Sequence, residues 1–223
     1  KPQVRGSSPR RPTNIIMITT AVKIPLNVAV AVSGGADSMA ALDFIRRGRQ
    51  KVTALHYNHG THHADEAQQL VTEYCKKHDI ELITGKMLIS PPRGESLENY
   101  WRKCRYKFFN ECNVETIITC HHLDDAVENW IFTALHGNPM MIPLVRDQFI
   151  RPFLSTPKEI LVEWCDRKCV PYINDPSNLD TRFMRNYIRH EIIPKAMRVN
   201  PGIKKVIKKK IFQMQKTINN LSV

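Results

Sequence analysis

The chain has 223 residues, enough to bury a sizeable core, and 42% of them are hydrophobic. Mean hydropathy is −0.35 and no apolar run approaches the length of a membrane span, so no membrane partner is expected. A net charge of +12 and a pI near 9.6 favour a polyanionic partner, nucleic acid first.

Cys75, Cys104, Cys112, Cys120, Cys165 and Cys169 are scattered, and no signal peptide is apparent. A reducing, cytoplasmic compartment is expected. Cys165 and Cys169 make a C-x3-C spacing without a second pair, which argues against a metal or iron–sulfur site there. Composition sets no oligomeric state; a dimer is one of those open to it.

Residues 1–16 are rich in Arg, Pro and Ser and hold no acid. They read as a disordered leader. A cloning remnant, a transit peptide and a natural arm compete, and Met17 as a start favours the first. An α/β domain is expected over residues 17–199, and a basic helical tail over 200–223.

Val28–Val32 is a continuous apolar run, the pattern of a parallel strand buried on both faces. Ser33-Gly34-Gly35-Ala36-Asp37-Ser38 follows it and opens an alanine-rich helix. Glycines let the backbone turn sharply and approach a ligand, and a helix N-terminus offers unpaired N–H groups to an anion. Asp37 adds a carboxylate for a phosphate-bound Mg²⁺. The loop lacks the lysine of G-x-x-x-x-G-K-[ST], and it is not G-x-G-x-x-G. The plain alternative is a tight strand-to-helix turn without a ligand.

Strand and helix then alternate. Strands are expected at Lys51–Tyr57, Ile80–Thr84, Thr116–Thr119 and Val170–Ile173. Helices are expected at Asp65–His78, Ser96–Cys112, His122–Leu135 and Lys158–Lys168, with a loop at Pro91–Gly94. The rhythm predicts a doubly wound, Rossmann-like parallel sheet, with ligands at the carboxyl ends of its strands. His56-Tyr57-Asn58-His59 follows the second strand, where it would contact an adenine, a ribose or a flipped base, or be structural.

Arg102, Arg105 and Tyr106 share one face of the 96–112 helix, a pairing suited to phosphates and unstacked bases. A surface helix that sends Trp101 and Phe108 inward explains the same residues. In His121-His122-Leu123-Asp124-Asp125-Ala126-Val127-Glu128, a helical wheel puts His121, Asp124, Asp125 and Glu128 within about 100°. The apolar residues fall opposite. The acidic face is either solvated or a pocket for a cationic substrate; it lacks H-E-x-x-H spacing.

Asp175-Pro176-Ser177-Asn178 reads as a turn, with Asp180 as the cap of a helix carrying Arg182, Arg185 and Arg189 on one stripe. No acid beyond Glu191 follows, while Lys204, Lys205, Lys208 and Lys209 accumulate with Lys195, Arg198, Lys210 and Lys216. That asymmetry predicts a footprint for a polyanion, on a helix over residues 203–216.

The loop resembles the S-G-G-x-D-S pyrophosphate loop of N-type ATP pyrophosphatases. Together with His121-His122-x-Asp-Asp-x-x-Glu, Arg151-Pro152-Phe153-Leu154, Asp175-Pro-Ser-Asn, Arg185-Asn186-x-x-Arg189 and Ile193-Pro194, it is similar to the tRNA-isoleucine lysidine synthetases over roughly Asn27–Pro201. The resemblance implies ATP and Mg²⁺, free L-lysine, and an isoleucine tRNA with a CAU anticodon. Its wobble cytidine is adenylated at C2, and the lysine ε-amine displaces AMP. The implied catalytic residues are Asp37, Asp125 and Glu128. ATP is assigned to Ser33, Gly34, Gly35, Ala36, Asp37, Ser38, His56, Asn58 and His59, with Asp37 at the metal. Lysine is assigned to Asp125, Glu128 and Arg105. The tRNA is assigned to His121, His122, Arg102, Arg151, Arg182, Arg185, Asn186, Arg189, Lys204, Lys205, Lys208 and Lys209. Members usually continue the second-strand motif as His-Gly-Leu-Arg, where this chain has His59-Gly60-Thr61-His62. His136-Gly137-Asn138-Pro139 replaces an R-G-x-G turn, and the form expected is a short one, without the usual C-terminal domains. A tRNA cytidine 2-thiolating enzyme and a non-catalytic nucleotide- or RNA-binding module are the competing functions.

Overall fold

The computed structural model describes residues 17–87, 94 and 96–221; the expected leader, and the expected loop at 91–93, lie outside them. The strands are β1 Asn27–Ala31, β2 Lys51–Asn58, β3 Glu81–Lys86, β4 Ile117–Ile118, β5 Val145–Arg146 and β6 Phe149–Ile150. They form one sheet in the order β3-β2-β1-β4-β6-β5. Every neighbouring pair is parallel except the β5–β6 hairpin at the edge. The chain winds outward from β1 through β2 to β3, then returns to β4 on the other side of β1. The switch point therefore lies between β1 and β4, and in such sheets the crevice opens outside the carboxyl ends of that pair. Two loops border it: the one after β1, holding Ser33–Gly35, and the one after β4, holding Thr119–His122.

The helices are α1 Ala36–Arg46, α2 His62–Lys77, α3 Leu97–Glu111, α4 Leu123–Leu135, α5 Lys158–Lys168, α6 Met184–Tyr187, α7 Ile193–Val199 and α8 Ile203–Leu221. Val28, Ala29 and Val30 are all buried, as a strand covered on both faces requires. Met39, Leu42 and Ile45 of α1 pack in the same core as Val30 and Ile118. Beneath that helix the Asp43 carboxylate is fully buried and accepts from Tyr74 Oη at 2.6 Å and Trp164 Nε1 at 2.8 Å. This buried acid thus ties α2 and α5 to α1.

Three expectations are corrected. Val170–Ile173 is not a strand. Pro171 has no N–H to give a ladder, and the Ile173 N–H instead donates to Gly34 O at 3.0 Å, bracing the glycine loop. The sheet continues on the other side through β5 and β6, two residues each and too short for a periodic pattern to reveal. Asp180 does not cap a helix. Its Oδ1 accepts the Arg182 N–H at 3.0 Å, and the carboxylate pairs with the Arg182 guanidinium at 2.7 Å. Asp175 supplies the cap instead, for a 3₁₀ turn at Pro176–Leu179, and helix resumes only at Met184. Arg182 therefore stands off the arginine stripe. α2 starts at His62, capped by Thr61 Oγ1, earlier than the expected Asp65.

Residues 203–216 are helical as expected and belong to α8, which is built into the core. Ile203, Ile207 and Ile211 recur every fourth residue and pack with Leu123, Val127 and Ile131 of α4. Among the described residues, no helix is long and apolar enough to cross a membrane.

Candidate active site at the switch point

Gly34 turns the chain out of β1 at φ +88°, a left-handed conformation that favours glycine. A Cβ there would meet the Ala67 Cβ at 3.0 Å, so α2 also limits this position to glycine. Ser38 Oγ accepts the Ser33 N–H at 3.0 Å and donates to Gly35 O at 3.0 Å, closing the loop on itself. Ala36 and Asp37 then begin α1, whose first N–H groups have no carbonyl within the helix to bond. The six residues Ser33, Gly34, Gly35, Ala36, Asp37 and Ser38 thus form a rigid cradle with donors and a positive dipole end.

Asp37 faces the second loop. Its Oδ2 lies 3.4 Å from His122 Nε2 and 3.7 Å from Lys158 Nζ. Burial alone would raise the Asp37 carboxyl; the His122 hydrogen bond and the charges of His122, Lys158 and Arg189 outweigh it and hold it below the usual value. Its Oδ1 is buried without a hydrogen-bond partner. An unpartnered carboxylate oxygen beside an anion cradle fits a Mg²⁺ shared with phosphate oxygens. Among the described residues no three His, Cys, Asp or Glu side chains group as a metal site, so the residues present suit shared coordination rather than a protein cage.

His122 caps α4. Its Nδ1 accepts the Asp125 N–H at 3.3 Å, while Asp125 Oδ2 accepts the His122 N–H at 3.0 Å. The cap keeps Nδ1 bare and turns Nε2 toward Asp37 and, at 3.4 Å, Asp125. Burial pulls His122 down, but the carboxylates of Asp125, Asp37 and Asp124 outweigh it and raise its pKa, against the cap. His122 is thus engaged within the acidic cluster and, being buried, is not a surface contact for RNA. His121 precedes the helix rather than sharing its acidic face, and its Nδ1 lies 3.1 Å from Thr119 Oγ1. Burial, opposed by Asp125 and aided by Arg151, Arg105 and Arg102, pushes His121 down to about 4.

Glu128 differs most from its expected setting. It is 2% exposed, not on a solvated face, and it accepts from Arg185 Nη1 at 2.9 Å and Arg189 Nη2 at 2.6 Å. The arginine stripe is therefore salt-bridged to α4, through a partner distant in sequence. Arg189 Nη2 also lies 3.5 Å from Asp125 Oδ1. Arg189 lies within a π-helical turn, Ile188–Ile192, and Arg185 in the turn before it; such a distortion is frequent at functional sites. Asn186 does not face outward: its amide is engaged with Ser177 O at 2.8 Å and Asp180 O at 3.0 Å, pinning the 3₁₀ turn.

On the β2 side, His56 is buried with Nδ1 2.9 Å from Val32 O and Nε2 left without a partner. Burial lowers its pKa, so Nε2 is a bare acceptor in the crevice. His59 stacks beside Trp101, its Nδ1 also unpartnered; burial, Arg105 and His56 push it down to about 4. Asn58 is the exception. Both amide hydrogens are engaged, with Asp65 and Gln68 at 2.8 Å each, so this residue clamps α2 rather than donating to a nucleotide. Arg105 lowers the pKa of both His59 and His121.

Of the remaining cations, Arg151 is buried beside α3, while Arg102 is exposed over the Tyr106 ring at 4.8 Å. Lys204 is drawn inward, bridging Asp124 and Glu159, which removes it from a free basic face. Lys205 and Lys209 are exposed, and Lys208 lies over the Phe212 ring. Lys158 was missed from sequence. Its signal was a local misfit: a cation in the first turn of α5, where the helix dipole disfavours it. Its N–H donates to Asp124 Oδ2 at 2.9 Å, fixing α5 against the cluster.

The sequence matches the PP-loop domain family over residues 14–196. Among curated proteins it is 33% identical over 187 residues to a tRNA(Ile)-lysidine synthase of Staphylococcus aureus, covering 75% of this chain and 43% of that protein. It is 30% identical over 197 residues to the protein of that name from Thermotoga sp., covering 81% of this chain and 48% of the relative. The chain thus spans a little under half the length of these relatives. The fold is similar to the U34-tRNA thiolase NcsA from Methanococcus maripaludis, solved with its 4Fe–4S cluster. That likeness has a TM-score of 0.71 at 15% identity and covers 88% of this chain and 74% of the other.

Proposed function

The chain belongs to the PP-loop domain family, and from that premise we propose that it uses ATP to ligate lysine to C2 of the wobble cytidine of an isoleucine tRNA. The observation that carries this reading is one juxtaposition. The anion cradle of Ser33–Ser38 includes Asp37, and Asp37 shares His122 with Asp125, so a phosphate site adjoins an acidic pocket. ATP lies with its phosphates on the loop amides and its charge met by Lys158, which stands where this loop itself lacks a lysine. Asp37 would hold a Mg²⁺ there, which would neutralise phosphate charge.

The chemistry divides into two steps. The C2 oxygen of cytidine is a poor leaving group; it attacks the α-phosphorus, and pyrophosphate departs onto the cradle. The lysine ε-amine then adds at C2, and AMP leaves with that oxygen. Lysine must attack as a neutral amine, and deprotonating it at pH 7 costs about 4.6 kcal/mol from a pKa near 10.4. Asp125 receives the ammonium and takes the proton. Glu128 joins it once Arg185 and Arg189 swing away, because both guanidiniums occupy its oxygens in this structure.

Thiolation is the weaker reading because this sequence holds no C-x-x-C pair. Burial pushes Cys75 up to about 11 and, with Asp166, Asp43 and Asp37 adding to it, Cys165 up to about 12. Burial raises Cys120 as well, aided by Asp37 and Asp125. Thiolates are disfavoured at each. Pyrophosphate release tests the first step: it should require both ATP and tRNA and proceed without lysine. Release without tRNA would remove the cytidine from that step.

A further inference from the structure

Away from the switch point, an open groove of about 760 Å³ runs between α3 and the β5–β6 hairpin. Its size is that of pockets that hold nucleotide-sized ligands, about 300–1,000 Å³. Among the described residues lining it, Arg102, Lys103, Arg146 and Arg151 are basic, and Asp147 alone is acidic. Asp147 is exposed at the hairpin turn, 3.9 Å from Arg146, and does not neutralise the groove's interior.

Arg151 is the informative residue. It is 4% exposed, its Nη1 donates to Pro143 O at 2.9 Å, and its Nε has no hydrogen-bond partner. A buried guanidinium left short of an acceptor is costly unless a ligand completes it. Burial, with the charges of Arg102 and Arg146, outweighs the attraction and hydrogen bond of Tyr106 and lowers its pKa, as expected where positive charge gathers. Beside it Arg102 stacks on Tyr106 and, being exposed, offers its outer plane to a base. Gln148, held by Asn110 at 2.8 Å, adds a carbonyl and an amide at the groove's edge. Arg151 directly follows Ile150, whose carbonyl accepts the Thr119 N–H at 3.0 Å, so the groove reaches the loop after β4 that borders the crevice.

We infer that this groove binds single-stranded RNA next to the reacting nucleotide, with a phosphodiester on Arg151 and Arg146 and a base stacked on Arg102. The inference rests on the proposed tRNA substrate and names the route by which the strand enters. An RNA duplex does not fit the same chemistry, because its bases are not free to stack on a side chain.

Arg102 and Arg146 are exposed, so Arg102→Glu and Arg146→Glu leave the core untouched. The probe is a fluorescent anticodon stem-loop RNA, with a blunt duplex of the same stem as control, titrated at several salt concentrations. Each variant should weaken stem-loop binding about tenfold, and Arg146→Glu should lower its log–log salt slope by about 0.7, the value for one single-strand phosphate. Duplex binding and ATP affinity should not change. Stem-loop affinity equal to the parent in both variants would overturn the inference. Equal losses for stem-loop and duplex would do so too, reducing the groove to general electrostatic attraction. The two proposals fail separately: ligation with undiminished binding in both variants sinks the groove, whereas groove-dependent binding without ligation sinks the reaction.

Discussion

Arg189 holds Glu128 by a fork, with Nη2 at 2.6 Å and Nε at 3.1 Å from the same Oε2. Arg185 takes the other oxygen at 2.9 Å. Glu128 is buried and each arginine is about a third or more exposed, so opening the latch returns the arginines to water but strands the acid. A cationic substrate is the natural replacement for the guanidiniums it displaces.

Glu128→Gln should therefore act on stability and on lysine together. Neutralising the acceptor of three charge-assisted hydrogen bonds should cost about 1–3 kcal/mol, visible as a lower Tm, and the lysine KM should rise. Asp125→Asn, at a half-buried site with one weak arginine contact, should raise the lysine KM with less loss of stability. Thermal melts and lysine titrations on both variants check this. Adenylation and ligation impaired in equal measure would mean that these acids serve the nucleotide instead.

Asp37→Ala should abolish ATP–pyrophosphate exchange while the protein stays folded, since the side chain is not in the apolar core, Oδ1 has no partner and the Oδ2 contacts to His122 and Lys158 are long, at 3.4 and 3.7 Å. Lys158→Ala should weaken ATP binding about tenfold and leave tRNA affinity near the parent value. Equilibrium dialysis with ATP measures the second effect. Unchanged ATP affinity would confine Lys158 to fixing α5 against Asp124.

Acid should loosen the crevice before it loosens the core. His59 and His121 have folded pKa values of about 4, against 6.5 for the free side chain. The folded state thus binds fewer protons than the unfolded state. Their stabilising contribution is present above pH 6.5 and is lost as the pH falls from 6.5 toward 4. Asp43, whose burial is outweighed by hydrogen bonds from Tyr74, Arg47 and Trp164 and by Arg46, lies below 3.8 and should fail only below that pH. Denaturant titrations across pH, repeated with His121→Gln, should show the upper step shrink. An upper step of unchanged size would assign it elsewhere.

The α8 lysines divide into two kinds. Lys205→Glu and Lys209→Glu lie on the exposed face and should lower the salt slope of tRNA binding by about 0.7–0.9 for each phosphate left unpaired. Lys204→Ala should instead lower stability, because its ammonium bridges Asp124 and Glu159. Removing α8 whole should unfold the protein, since Ile203, Ile207 and Ile211 are core. Salt-series titrations and melts separate these roles.

The glycine loop, its strand and the alternation of the first domain were readable, because a buried strand, a turn and a helix start each leave a local pattern. His121 to Glu128 was readable as an acidic cluster. Its depth was not, since Glu128 is buried by arginines 57 and 61 residues away. Distant partners also hid the role of Asn186, and the internal clamp on Asn58 depends on how α2 meets β2. The β5–β6 edge was invisible because two-residue strands show no alternation. The groove behind it was half visible, as Arg102 and Tyr106, but Arg146 and Arg151 join it only in three dimensions.

The most direct test is lysine transfer. The protein is incubated with ATP, Mg²⁺, labelled L-lysine and an unmodified isoleucine tRNA bearing a CAU anticodon, and the RNA is digested to nucleosides. The account predicts one labelled nucleoside, absent without ATP and absent with Asp37→Ala. A digest free of label, while pyrophosphate is released in the presence of tRNA, would contradict lysine as the nucleophile.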